Sequence, residues 1–138
     1  MGKRVRDAMT PAPQTIQADR PVAEAAKMMK EADAGMIPVM NDGTTMLGAV
    51  TDRDIVVRLI AEGKDPASTP VYEIASTELV TIEPDRDLDE ALSLMAKHQV
   101  RRLPVVEDGR LVGIVAQADV AREGDEKEVG HTVEEISR

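Results

Sequence analysis

The chain has 138 residues, 42% of them hydrophobic, with no Phe, no Trp and one tyrosine, Tyr72, so its core must be built from aliphatic side chains and the eight Met. Seventeen Lys and Arg against 26 Asp and Glu give a formal charge of −9, which repels a phosphate backbone and excludes a nucleic-acid binder. With no Cys and only His98 and His131, disulfides, thiolate sites and a histidine-based zinc centre are excluded; no apolar run is long enough for a membrane span, and residues 1–20 lack the apolar stretch of a signal peptide, so a cytoplasmic protein is expected.

In chain order, a short extended piece around Thr15-Ile16 leads into a helix with Val22, Ala25, Ala26 and Met29 on one apolar stripe. Two short strands follow, Ile37 to Met40 and Met46 to Val50, around an Asp42-Gly43 turn, a strong hairpin signal. A second helix is predicted from about Asp52 to Glu62, with Gly63 placed to end it. Residues 64–70, with Pro66, Ser68, Thr69 and Pro70, read as a linker. The same order then returns: Leu79-Val80-Thr81-Ile82, a helix with Leu88, Ala91, Leu92 and Met95 apolar, strands Leu103 to Val106 and Leu111 to Val115 around Asp108-Gly109, and a closing helix. The charged tail 124–138 is only weakly periodic.

The chain is therefore an internal repeat. Thr15-Ile16 returns as Thr81-Ile82, Met29 as Met95 and Ile37-Pro38-Val39 as Leu103-Pro104-Val105 at a constant offset of 66. Past the turns the offset is 65, pairing Leu47-Gly48-Ala49-Val50 with Val112-Gly113-Ile114-Val115 and Asp54 with Asp119, as one residue dropped from a hairpin loop would produce. A half of this size is marginal alone, so the halves are expected to pack together and to create a ligand cleft.

A strand-helix-hairpin-helix unit present twice, with an x-Pro-Val strand followed by Gly-x-x-Thr-x-x-Asp, resembles the CBS domain family in its paired form, the Bateman module. The run Leu47-Gly48-Ala49-Val50-Thr51-Asp52-Arg53-Asp54-Ile55-Val56-Val57-Arg58 is similar to stand-alone bacterial CBS pairs of the mycobacterial hypoxic response type. The resemblance implies an α+β fold of tandem CBS domains, each a small, mostly antiparallel three-stranded sheet with two helices, packed with pseudo-two-fold symmetry. It divides the chain into domain 1 (5–63), linker (64–70), domain 2 (71–123) and acidic tail (124–138).

It also implies a regulatory module binding an adenine nucleotide (AMP, ADP or ATP), with no catalytic residue and no metal. Asp54 is carried over as the acceptor for the ribose hydroxyls and Thr51 as the residue near ribose and phosphate. Leu79, Val80 and Val100 form the adenine wall, Arg101 and Arg102 clamp phosphate, and Arg53 adds a third cation. Asp119 marks a second, weaker site, because Ala116 stands where the first repeat has Thr51. The implied partners are a second copy of the chain, in a homodimer, and an effector protein on another chain. The alternative from a different class is a constitutive dimeric adaptor that binds no nucleotide.

Structural roles stand beside these assignments. Thr51 and Asp54 also form a capping box, Arg101 and Arg102 can be solvated surface cations, and Gly48 and Gly113 suit close approach of another backbone. Met28, Met29 and Met95 read as core or dimer-face residues, and His98 as a helix-end cation or a solvent-exposed side chain. Asp52-x-Asp54 after an apolar strand is similar to the nucleophile motif of haloacid-dehalogenase phosphatases, but Asp52 aligns with Gln117 in the second repeat and such an enzyme needs a full parallel sheet.

Overall fold

A computed structural model of the chain describes residues 3–123. Its elements are helix α1 (Val5–Ala8), strands β1 (Thr10–Pro11) and β2 (Ile16–Gln17), helix α2 (Val22–Ala32), strands β3 (Met36–Met40) and β4 (Met46–Thr51), and helix α3 (Asp52–Asp54), which continues as a π-helix over Ile55–Ile60. A 3₁₀ turn at Val71–Glu73 precedes helix α4 (Leu88–His98), strands β5 (Arg102–Glu107) and β6 (Arg110–Ala116) and helix α5 (Gln117–Glu123). The acidic tail and His131 lie outside the described residues.

The apolar stripes do what their spacing dictates. Val22, Ala25 and Met29 of α2 are buried, as are Leu88, Ala91, Leu92 and Met95 of α4; Ala26 alone of the expected stripe faces solvent. Both helices stop at a residue forced into the left-handed region, Asp33 (φ 51°) and Gln99 (φ 55°), a conformation that costs an L side chain energy and that glycine adopts freely. The Asp-Gly turns differ as the change of offset requires. Asp108 and Gly109 both have positive φ and close a two-residue hairpin between Glu107 and Arg110, whereas the first hairpin passes through the longer loop 41–45, with Gly43 at φ 85°.

Packing groups the described residues into two units, 14–79 and 80–123, the latter including residues 3–13. This grouping crosses the repeat boundaries. Val5 and Ala8 are buried with Ile82, Leu88, Ala91 and Leu103, while Val71, Ile74 and Ala75 are buried with Ile16, Val22, Val39 and Val50. The opening segment of each repeat thus belongs to the core that contains the other repeat's sheet. Residues 64–70 are correspondingly fixed to their unit: the carbonyls of Pro66 and Thr69 accept from Ala23 N and Val22 N at 2.9 Å each, satisfying free amides at the start of α2.

In the 14–79 unit the sheet order is β2-β3-β4, with β2 parallel and β4 antiparallel to β3. Ser76 adds a further antiparallel bridge to Ala49, with Ser76 N donating to Ala49 O at 2.8 Å and Ala49 N to Ser76 O at 3.0 Å. In the 80–123 unit the order is β1-β6-β5, all antiparallel, and Ile82 bridges Val105 in parallel on the far side. The two sheets therefore follow one plan: Thr10 lies on β6 as Ser76 lies on β4, and Ile82 lies beside β5 as β2 lies beside β3. Of the extended piece expected over 79–82, only Ile82 enters a bridge.

This plan requires glycine at two positions. A Cβ on Gly48 would collide with the carbonyl oxygen of Ser76, and one on Gly113 would stand 2.8 Å from the carbonyl oxygen of Thr10. Both obstacles are backbone, so neither can yield cheaply. Gly48→Ala is expected to destabilise the protein by about 2 kcal/mol in denaturant unfolding; an unchanged midpoint would mean the bridge is dispensable. Asp33→Gly relieves a left-handed residue and removes a negative charge from a helix C-terminus, and should raise stability by about 1 kcal/mol in the same assay, with a lower midpoint as the contrary result.

Candidate functional site

Thr51 ends β4 and Asp54 closes the first turn of the helix that follows, and the two side chains are locked to each other. Asp54 N donates to Thr51 Oγ1 at 3.1 Å and Thr51 N donates to Asp54 Oδ2 at 2.9 Å, a reciprocal capping box. Asp54 is only 7% exposed, and a carboxylate so nearly withdrawn from water needs further donors. Ser76 supplies one, its hydroxyl lying 3.1 Å from Oδ1 and 3.3 Å from Oδ2. Arg58, one helical turn on, brings Nε to 3.8 Å from Oδ1, and its Nη1 reaches the carbonyls of Ile74 and Ala75 at a long 3.4 Å.

Beside this cluster, within the 14–79 unit, lies a groove of about 390 Å³ lined by Arg58, Ala75, Ser76, Thr77 and Glu78. Two of its walls, Ser76 and Arg58, are the groups that hold Asp54. Arg58 is half exposed and offers its guanidinium to whatever enters. The groove thus presents a cation, the Glu78 carboxylate, hydroxyls and backbone polar groups, with the oriented Asp54 carboxylate behind Ser76. The π-helical segment contributes to this arrangement: Ala61 N bonds Val56 O at 2.9 Å, and the wider turn keeps Leu59 fully buried while Val56, Val57 and Ile60 face outward.

The other residues singled out in the sequence fall as follows. Arg53 is exposed, its amide bonded to Asp52 Oδ1 at 2.8 Å, and Leu79 is half-buried in the 14–79 unit. Val80, Val100, Arg101, Arg102 and Asp119 belong to the 80–123 unit. Val80 packs against that unit's core, so part of its surface serves the fold, whereas Val100, Arg101 and Arg102 are exposed. Arg101 O accepts from Gln117 N at 2.9 Å and Arg102 pairs with Ala116. Within their own unit the two arginines therefore stand beside the Ala116–Asp119 turn, where Asp119 Oδ2 accepts from Ala116 N at 3.2 Å. At the corresponding place in the 14–79 unit, Gly35 O accepts from Asp52 N and Met36 pairs with Thr51.

Arg58 and Ser76 are the functional candidates that sequence reasoning did not single out. Arg58 carried a signal, its i, i+4 spacing from Asp54. Ser76 carried a fainter one: it lies 66 residues after Thr10, in a stretch where Val5 also returns as Val71. Asp52 is exposed, and neither sheet has the full parallel order required by a haloacid-dehalogenase phosphatase. Among the described residues no group of three His, Cys, Asp or Glu is placed to hold a metal ion, and no helix is long and apolar enough to cross a membrane.

The CBS domain family model matches residues 5–61 and again 71–126. The CBS domain-containing protein YhcV of Bacillus subtilis is 47% identical over 117 residues, spanning 85% of this chain and 82% of the relative. Hypoxic response protein 1 of Mycobacterium tuberculosis is 38% identical over the same shares. Among solved structures, CBSX2 in complex with AMP has a TM-score of 0.77 and 27% identity, covering 88% of this chain and 95% of that one. With both repeats matched and relatives aligned over most of their length, the chain belongs to the CBS domain family and carries two CBS domains in tandem.

Proposed function

We propose that this protein is a regulatory module that binds an adenine nucleotide, that Asp54 holds the ribose, and that no chemistry is performed on the ligand. The observation that carries this reading is the Asp54 carboxylate, oriented by Thr51 and nearly buried behind the groove wall formed by Ser76 and Arg58. A carboxylate can accept from two vicinal hydroxyls, and the adjacent guanidinium of Arg58 is a partner for phosphate. The AMP bound to the similar CBSX2 supports the choice of ligand class. Arg53, Arg101 and Arg102 remain assigned to phosphate, and Leu79, Val80 and Val100 to the base. Asp119 is assigned to a weaker site lacking the threonine hydroxyl.

The module acts as a homodimer in the cytoplasm in this reading. Val56 and Ile60 are each 59% exposed and Val57 is 48% exposed, an apolar stripe on one helical segment that a second copy would cover. A regulated effector would then lie on another chain and respond to the nucleotide through the altered dimer.

Calorimetric titration with AMP and ATP should show saturable binding by the wild type that falls at least tenfold in Asp54→Asn, which keeps the side chain's size and removes its charge; no binding by folded wild-type protein would favour the adaptor reading instead. Sedimentation velocity should give a dimer for the wild type and a monomer for a Val56→Asp/Ile60→Asp variant. A monomeric wild type would remove the dimer from the proposal.

A further inference from the structure

We propose that the Ser76 hydroxyl is a built-in substitute for the ligand's ribose, occupying the Asp54 carboxylate when no nucleotide is present and rotating away when one binds. This rests on the nucleotide reading and goes beyond it, because it assigns Ser76 a gating role instead of a contact role. The Ser76 hydroxyl lies 3.1 and 3.3 Å from the two carboxylate oxygens and donates its one proton to that carboxylate, a bond that a ribose hydroxyl would make in its place. Ser76 lines the groove and Asp54 does not, so a ligand entering there meets the serine first. Asp54 is 7% exposed, and with Oδ2 already engaged by Thr51 N, the acceptor capacity facing the groove is the part that Ser76 uses.

The exchange requires little movement. The Ser76 backbone is held on β4 by both hydrogen bonds to Ala49, and Gly48 leaves room for that contact. A rotation about the Cα–Cβ bond of Ser76 to another staggered position is enough to uncover the carboxylate. While the groove is empty the serine adds a hydroxyl donor to a nearly buried carboxylate that Thr51 N and Arg58 satisfy only in part; when a diol arrives, one hydroxyl is exchanged for another. Affinity for hydroxyl-bearing ligands is therefore set lower than the carboxylate alone would give, and ligands without the diol gain nothing from displacing Ser76.

The test is calorimetry with AMP and with 2′,3′-dideoxyadenosine monophosphate on the wild type and Ser76→Ala. The expected result is AMP binding about two- to tenfold tighter in Ser76→Ala, with no gain for the dideoxy compound. If the wild type binds AMP but Ser76→Ala binds it equally or more weakly, or gains equally for both ligands, the gating role is overturned while the nucleotide reading stands. If neither folded protein binds AMP, the nucleotide reading falls and the gate with it. A readout independent of any substitution is the Ser76 χ1 rotamer in the wild type, followed by three-bond NMR couplings: it should change on saturation with AMP, and an unchanged rotamer overturns the proposal.

Discussion

In each unit a β-hairpin accepts a short backbone segment from the start of the other sequence repeat, and a glycine in the receiving strand is what admits it. Gly48 lets Ser76 form its bridge to Ala49, and Gly113 lets β1 lie on β6. Any side chain at these positions would press on backbone carbonyls that are themselves bonded into the sheet. Much else depends on this contact. It brings Val5 into one core and Val71, Ile74 and Ala75 into the other, and it carries Ser76 to within hydrogen-bond distance of Asp54, a residue 22 positions earlier.

The candidate site follows from the same constraint. Thr51 and Asp54 are positioned locally, by a strand that ends where a helix begins, and their reciprocal bonds would form in any helix start of that sequence. What distinguishes this turn from an ordinary cap is that Asp54 is nearly buried and shares its charge with Ser76 and Arg58 at the wall of a groove. A cap alone needs neither of those partners. The Ala116–Asp119 turn keeps the carboxylate-to-amide bond but has no threonine hydroxyl to complete the box, so the two repeats share a fold and differ in chemistry.

The sequence was most legible where structure is set over short distances. The stripes of α2 and α4, the Asp-Gly hairpins, the capping box and the helix stop at Gly63 depend on residues a few positions apart, and their periodicity or turn chemistry is visible directly. The exchange of segments between repeats was not legible, because the match of Val71 and Ser76 to Val5 and Thr10 shows that the two segments are equivalent but not which sheet each joins. The left-handed ends at Asp33 and Gln99 were hidden for a different reason: neither is glycine, and the bonds that close the two helices there, Ala34 N to Met29 O and Val100 N to Met95 O, are backbone bonds that leave no mark in residue type. The π-helical register of Ile55–Ile60 likewise leaves no mark in an apolar run that reads equally well as an ordinary helix.

Whether the Asp54 turn is a nucleotide receptor is tested most directly by following backbone amide resonances of the wild-type protein as AMP is added. Saturable shifts centred on Thr51, Asp54, Arg58 and Ser76 are expected. A spectrum unchanged at these four residues, in protein shown to be folded, would contradict that role.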